Sequence, residues 1–179
     1  MINNKKVFLL FLLIFLSFPQ NSFCKKNPKL IINANSLVFD GKNNTILASK
    51  KVNALYKDIY LTANSVKYFH EKKTMSLSGN VALSKKSMKL TCINLFIDHK
   101  NDLIKALGAV KINYVDEITG QANKALYNTA KNIITLSGNA IAKQGKDTLK
   151  GENIVIFINT KKVVTKGRTK ILVSPERFK

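Results

Sequence analysis

The chain has 179 residues and a formal net charge of +20, from 30 Lys and Arg against 10 Asp and Glu. Lysine supplies 28 of those cations, with only Arg168 and Arg177 beside it; such scarcity of the residue that grips phosphates and base edges bidentately counts against a nucleic-acid binder. A hydrophobic fraction of 45% excludes a disordered chain and allows one domain with a real core.

Residues 1–24 read as an export signal. Lys5-Lys6 is a basic start, Val7 to Phe18 is an apolar run of 12 residues, and Pro19 to Ser22 is a polar exit. Ser22 and Cys24 place small residues at −3 and −1 of a cleavage site after Cys24. A bilayer-spanning helix needs about 20 apolar residues, so cleavage is expected, with a retained anchor as the alternative. Cleavage leaves residues 25–179 as a single domain with a net charge of +18 and one thiol, Cys92, which cannot form an internal disulfide.

From residue 30 onward one unit recurs. Its small anchor is Ala34, Ala63, Cys92, Ala122 and Gly151, at spacings of 29, 29, 30 and 29 residues. Three places on stand Leu37, Val66, Leu95, Ala125 and Ile154. Five places on stand Phe39, Tyr68, Ile97, Tyr127 and Ile156. Twelve on stand Ile46, Met75, Ile104, Ile134 and Val163. Sixteen on comes Gly79, Gly108, Gly138 or Gly167, with Lys50 in the first copy. Two before the anchor stand Ile32, Leu61, Leu90 and Leu149, with Gly120 as the exception. Five copies of about 29 residues predict a repeat architecture.

Within a unit the apolar period is two, which means strand. Met75, Leu77, Val81 and Leu83 alternate with polar residues, and Gly79 shares their parity, so it is expected to face the apolar side at a corner. Between the anchor and the third place the parity flips, as a β-bulge would make it. Polar clusters at 40–44, 70–73, 99–102, 128–132 and 159–162 close hairpins. One hairpin cannot bury its apolar face alone; stacked hairpins share an interior. The ends, near Lys29 to Ile32 and Thr169 to Val173, carry no obvious cap and are expected to associate edge to edge.

Chemistry-bearing constellations are sparse. His70 and His99 occupy equivalent turn places and read as solvated. Cys92 takes the anchor slot of alanine or glycine and reads as a small buried residue. Asp116 and Glu117 are strand neighbours, which point to opposite faces and form no catalytic dyad. The glycines recur rather than cluster, so there is no phosphate loop. No enzyme, cofactor or metal site is expected.

The segments Ser76 to Leu83 (SLSGNVAL) and Thr135 to Ala142 (TLSGNAIA) resemble the "TGNV" strand of the organic-solvent-tolerance (OstA)-like family, which includes LptA. Lys150 to Ile156 (KGENIVI) resembles its "KGDKIxY" strand, and Ile171 to Pro175 its closing hydrophobic-Pro segment. The likeness spans about residues 30–176; the first copy departs most, with Lys50-Lys51 in place of Gly-Asn. It implies an all-β, elongated, twisted and semi-open antiparallel β-jellyroll, in a periplasmic bridge that carries lipopolysaccharide between the inner and outer membranes. It also implies end-to-end contacts with inner-membrane and outer-membrane OstA-like partners, and head-to-tail self-association.

On that resemblance, lipid A acyl chains would lie against the apolar face: Leu37, Phe39, Ile46, Val66, Tyr68, Met75, Leu77, Val81, Leu83, Leu95, Ile97, Ile104, Val110, Ile112, Tyr127, Ile134, Leu136, Ile154 and Ile156. Alternation does not separate an open groove from a filled core. The competing readings are a membrane-anchored partner of the same pathway and a structural or adhesive β-repeat protein.

Overall fold

A computed structural model describes residues 29–114 and 118–173; the export segment, Asp116-Glu117 and the tail from Ser174 lie outside the described residues. Eleven strands follow one another: β1 (Leu30–Asn33), β2 (Ser36–Asp40), β3 (Thr45–Tyr56), β4 (Ile59–Phe69), β5 (Thr74–Lys85), β6 (Met88–Asp98), β7 (Leu103–Tyr114), β8 (Ile118–Asn128), β9 (Ile133–Gln144), β10 (Asp147–Phe157) and β11 (Lys162–Leu172). They form one antiparallel sheet in the order β1-β3-β4-β5-β6-β7-β8-β9-β10-β11, with β2 also on β3. β1 pairs with the end of β3 and β2 with its start, so the two are halves of one broken edge. The sheet does not close on itself, and the architecture is the open, all-β antiparallel jellyroll that alternation and resemblance predict.

Every long strand is bent at its middle, and the bends fall where the sequence parity breaks. Register shifts lie between Thr62 and Ser65, Thr91 and Asn94, Gln121 and Lys124, and Gly151 and Asn153, each just after an anchor. The partner strands answer with shifts between Ser49 and Val52, Ser78 and Val81, and Leu107 and Val110. There the backbone enters the left-handed region: Gly79 (φ 73°), Gly108 (78°), Gly138 (76°) and Gly167 (88°). In three copies the next residue follows it, Asn80 at 49°, Ala109 at 47° and Asn139 at 51°. Two such residues in succession take the strand off its pleat and turn it.

This geometry corrects one expectation. Parity puts Gly79 on the apolar side, but a Cβ there would lie 2.5 Å from Nδ2 of exposed Asn64. Gly108, Gly138 and Gly167 likewise face Ile93, Asn123 and Glu152, all exposed. The left-handed pair resets the alternation, so parity cannot be carried through the bend.

Each strand therefore has two arms. One arm leads to the four-residue turns at 41–44, 70–73, 99–102, 129–132 and 158–161. The other leads to tight turns that hold Lys57 (φ 57°), Lys86 (48°) and Gly145 (58°), as two-residue hairpins require. The long turns are themselves laddered. The backbone N–H groups of His70, His99, Thr129 and Ile158 donate to the carbonyls of Asn44, Lys73, Asp102 and Asn132 at 2.9–3.1 Å.

The bend folds the two arms face to face around one core, which includes Val52, Leu61, Val66, Leu77, Val81, Leu90, Leu95, Ile112, Leu136 and Ile154. Direct contact between the arms is visible at Gly120, whose place for a Cβ lies 2.8 Å from Cδ1 of Leu136 on the opposite arm. Cys92 is buried in this core as expected; burial pushes its thiol up to about 11, and Sγ donates to the Asn94 carbonyl at 3.2 Å.

Candidate functional site

Two in-register rows of side chains run the length of the long-turn arms. Leu37, Ala48, Val66, Leu77, Leu95, Ala106, Ala125, Leu136 and Ile154 are successive cross-strand partners. So are Phe39, Ile46, Tyr68, Met75, Ile97, Ile104, Tyr127, Ile134 and Ile156. Period-two alternation puts both rows on one face because each hairpin keeps the same register. Val81, Leu83, Val110 and Ile112 face them from the tight-turn arms and are buried. All nineteen residues singled out by sequence thus lie on one face of the bent sheet.

They do not share one environment. Those on β5 to β10 are buried, apart from half-buried Tyr127, and Leu136 and Ile154 have 0% exposure. At the leading end the interior opens. Leu37 is 51% and Phe39 65% exposed, because among the described residues the broken edge of β1 and β2 has no neighbour beyond it. A cavity of about 740 Å³ lies there, lined by the apolar Leu30, Ile32, Leu37, Ile46 and Met75 together with Tyr56, Tyr68, His70, Lys73 and His99. At the trailing end β11 is, among the described residues, a second free edge, with Ile171, Leu172 and Val173 exposed.

Among the described residues no backbone ladder joins the outer margins of the two arms: from β3 onward each strand pairs with its sequence neighbours, and β1 and β2 both lie on β3. Side chains meet instead. Tyr56, at the tight-turn end of β3, packs its ring 4.9 Å from that of His99 in a long turn. Farther along, Tyr127 lies near Tyr114 of the opposite margin and donates its hydroxyl to Oδ1 of Asn132 at 3.1 Å. Burial raises the Tyr127 and Tyr68 hydroxyls above the usual tyrosine value, with Tyr114 and Tyr56 adding to it. A second expectation is corrected here: His99 is not a solvated turn residue. Burial holds its imidazole below the usual histidine value; Lys57 adds to this, and Asp98 and Asp102 oppose it.

Sequence reasoning missed Leu30, Ile32, Tyr56 and Lys73 as lining residues. Ile32 stood in the repeat's apolar row but was not carried into the site. Tyr56 gave no local signal, because bending rather than spacing brings it to His99. Among the described residues no group of three or more His, Cys, Asp or Glu is placed to hold a metal ion. What the arrangement offers chemically is apolar burial with a polar, partly cationic mouth.

The family profile described as "LptA/(LptD N-terminal domain) LPS transport protein" matches residues 31–162. Among solved structures, the chain is similar to the crystal structure of LptH, the LptA-homologous periplasmic component of the lipopolysaccharide transport device of Pseudomonas aeruginosa. That likeness has 15% identity and a TM-score of 0.38, covering 82% of this chain and 96% of that one. No curated protein matches this sequence.

Proposed function

Since the chain belongs to the LptA/LptD N-terminal domain family of lipopolysaccharide transport proteins, we propose that it is a periplasmic bridge that carries lipopolysaccharide with the acyl chains of lipid A held between the arms of its bent strands. In this reading it joins OstA-like domains of an inner-membrane and an outer-membrane partner through its two free edges. Nothing in the proposed transfer is catalytic. Each buried CH₂ is worth about 0.8 kcal/mol, so a chain moving along a continuous apolar interior keeps its burial nearly constant and needs no chemistry from the protein.

The observation that carries the reading is the pair of unbroken apolar rows that open to solvent at Leu37 and Phe39. The contact of Leu136 with Gly120 favours a second reading, a repeat protein with a filled core. The two are compatible with one molecule in different states. Among the described residues, side-chain contacts such as Tyr56 with His99 hold the margins of the arms, and these can part without loss of a ladder. Gel filtration of the purified protein after mixing with lipopolysaccharide tests the proposal. Co-elution with intact lipopolysaccharide, and none with its polysaccharide freed of lipid A, is expected. Equal retention of both, or of neither, would overturn it.

A further inference from the structure

The leading cavity differs from the rest of the interior in having a lysine and two histidines in its lining. His70 and Lys73 belong to one long turn and His99 to the next, and the His99 N–H to Lys73 carbonyl bond of 3.1 Å fixes the two turns side by side. Lys57 lies close enough to His99 to perturb it and sits 5.5 Å from the Tyr56 ring. The nearby acids accept hydrogen bonds of their own: Glu71, beside His70, accepts from Nδ2 of Asn44. Asp98 accepts from the backbone of Lys100 and Asn101 and from Asn101 Nδ2, and Asp102 accepts from Thr129. Among the described residues no hydrogen bond occupies the side chains of His70, Lys73 or His99.

A cavity of about 740 Å³ with an apolar lining and a few convergent polar groups has the form of a ligand site. We propose that it is a headgroup subsite: an acyl chain enters over Leu37 and Ile46 while its anionic headgroup, a phosphate or carboxylate, rests against Lys73, His70 and His99. This rests on the acyl-chain reading above and adds the place and sign of the headgroup. Lysine and histidine at the mouth donate stronger, charge-assisted hydrogen bonds to an anion than to a neutral headgroup, so charge rather than chain length sets selectivity there.

The test is calorimetric titration of the purified protein with dodecyl phosphate, with the neutral amphiphile monolaurin, and with inorganic phosphate alone. Dodecyl phosphate is expected to bind about tenfold more tightly than monolaurin, the scale of one charge-assisted hydrogen bond. Lys73→Asn should remove most of that difference, Asn being tolerant of the positive φ of 51° at this place. His70→Ala is the second variant, and Lys89→Gln, on the exposed face of β6, the control. Equal affinity for the two amphiphiles, or no response to either variant, would overturn the headgroup subsite while leaving the apolar interior standing. Tight binding of inorganic phosphate alone, lost in Lys73→Asn, would make this a free-anion site and equally overturn it. Failure of both amphiphiles to bind would remove the acyl-chain reading and the subsite with it.

Discussion

Leu136 fills the space that a side chain on Gly120 would need: its Cδ1 lies 2.8 Å from the place of the missing Cβ. The other copies put Ile32, Leu61, Leu90 or Leu149 in the place of Gly120, so the repeat exchanges a large residue on one arm for reach from the opposite arm. Gly120→Ala should overpack this contact and destabilise the protein by about 1–3 kcal/mol. Denaturant unfolding of the variant checks it; an unchanged midpoint would mean that the arms are already apart at this level.

The bends make a paired prediction. Lys50 (φ 65°) holds the place that Gly79, Gly108, Gly138 and Gly167 hold in later copies, and a left-handed non-glycine residue costs roughly 1–2 kcal/mol. Lys50→Gly should recover about 1 kcal/mol of that, reduced by the added freedom of the unfolded chain. Gly79→Ala should do the reverse, because it adds both the strain of φ 73° and a 2.5 Å approach to Asn64. Thermal unfolding of the two variants should move in opposite directions.

These residues also show what could be read from the sequence. Register and bulge positions were legible because one hairpin grammar is repeated, so a parity flip after each anchor is seen several times. The direction of Gly79 was not, since a left-handed pair erases the parity on which the reading relied. The break between β1 and β2 was hidden for a related reason: the first copy lacks a neighbour beyond its edge, and edge position leaves no mark in composition. Gly120 was visible as an exception to an apolar row, but its meaning lies in Leu136, whose partner on the other arm no period specifies. The mouth was missed because Tyr56 and His99 are distant in sequence and meet only when the strand bends.

The pH dependence follows from His99. Its folded pKa is lowered, so the folded state favours the neutral ring. The corresponding stability is fully present above the unfolded value near 6.5 and is lost as pH falls through the folded value. His99→Phe, which keeps a ring against Tyr56, should lose less stability than the wild type as pH is lowered below 6.5. Unfolding midpoints measured on both sides of that pH, with identical slopes for the two proteins, would contradict the assignment.

The trailing edge predicts association. Among the described residues β11 has no strand beyond it, and Ile171 is 58% exposed on it. Unpaired backbone groups beside an apolar surface favour strand addition by another domain. Ile171→Asp should shift sedimentation toward the monomer at concentrations where the wild type forms larger species. A mass distribution indifferent to both concentration and this variant would argue against edge-to-edge joining.

The central claim is that lipid runs along the interior rather than over the surface, and strand β4 gives the most direct measurement. A photo-crosslinking residue placed in turn at Ser65, Val66, Lys67 and Tyr68 samples both faces at one level, since Val66 and Tyr68 lie on the interior rows and Ser65 and Lys67 on the other parity. Capture of lipopolysaccharide in cells at Val66 and Tyr68, with none at Ser65 and Lys67, is the predicted result. Equal capture at all four positions, or capture at Ser65 and Lys67 alone, would contradict it.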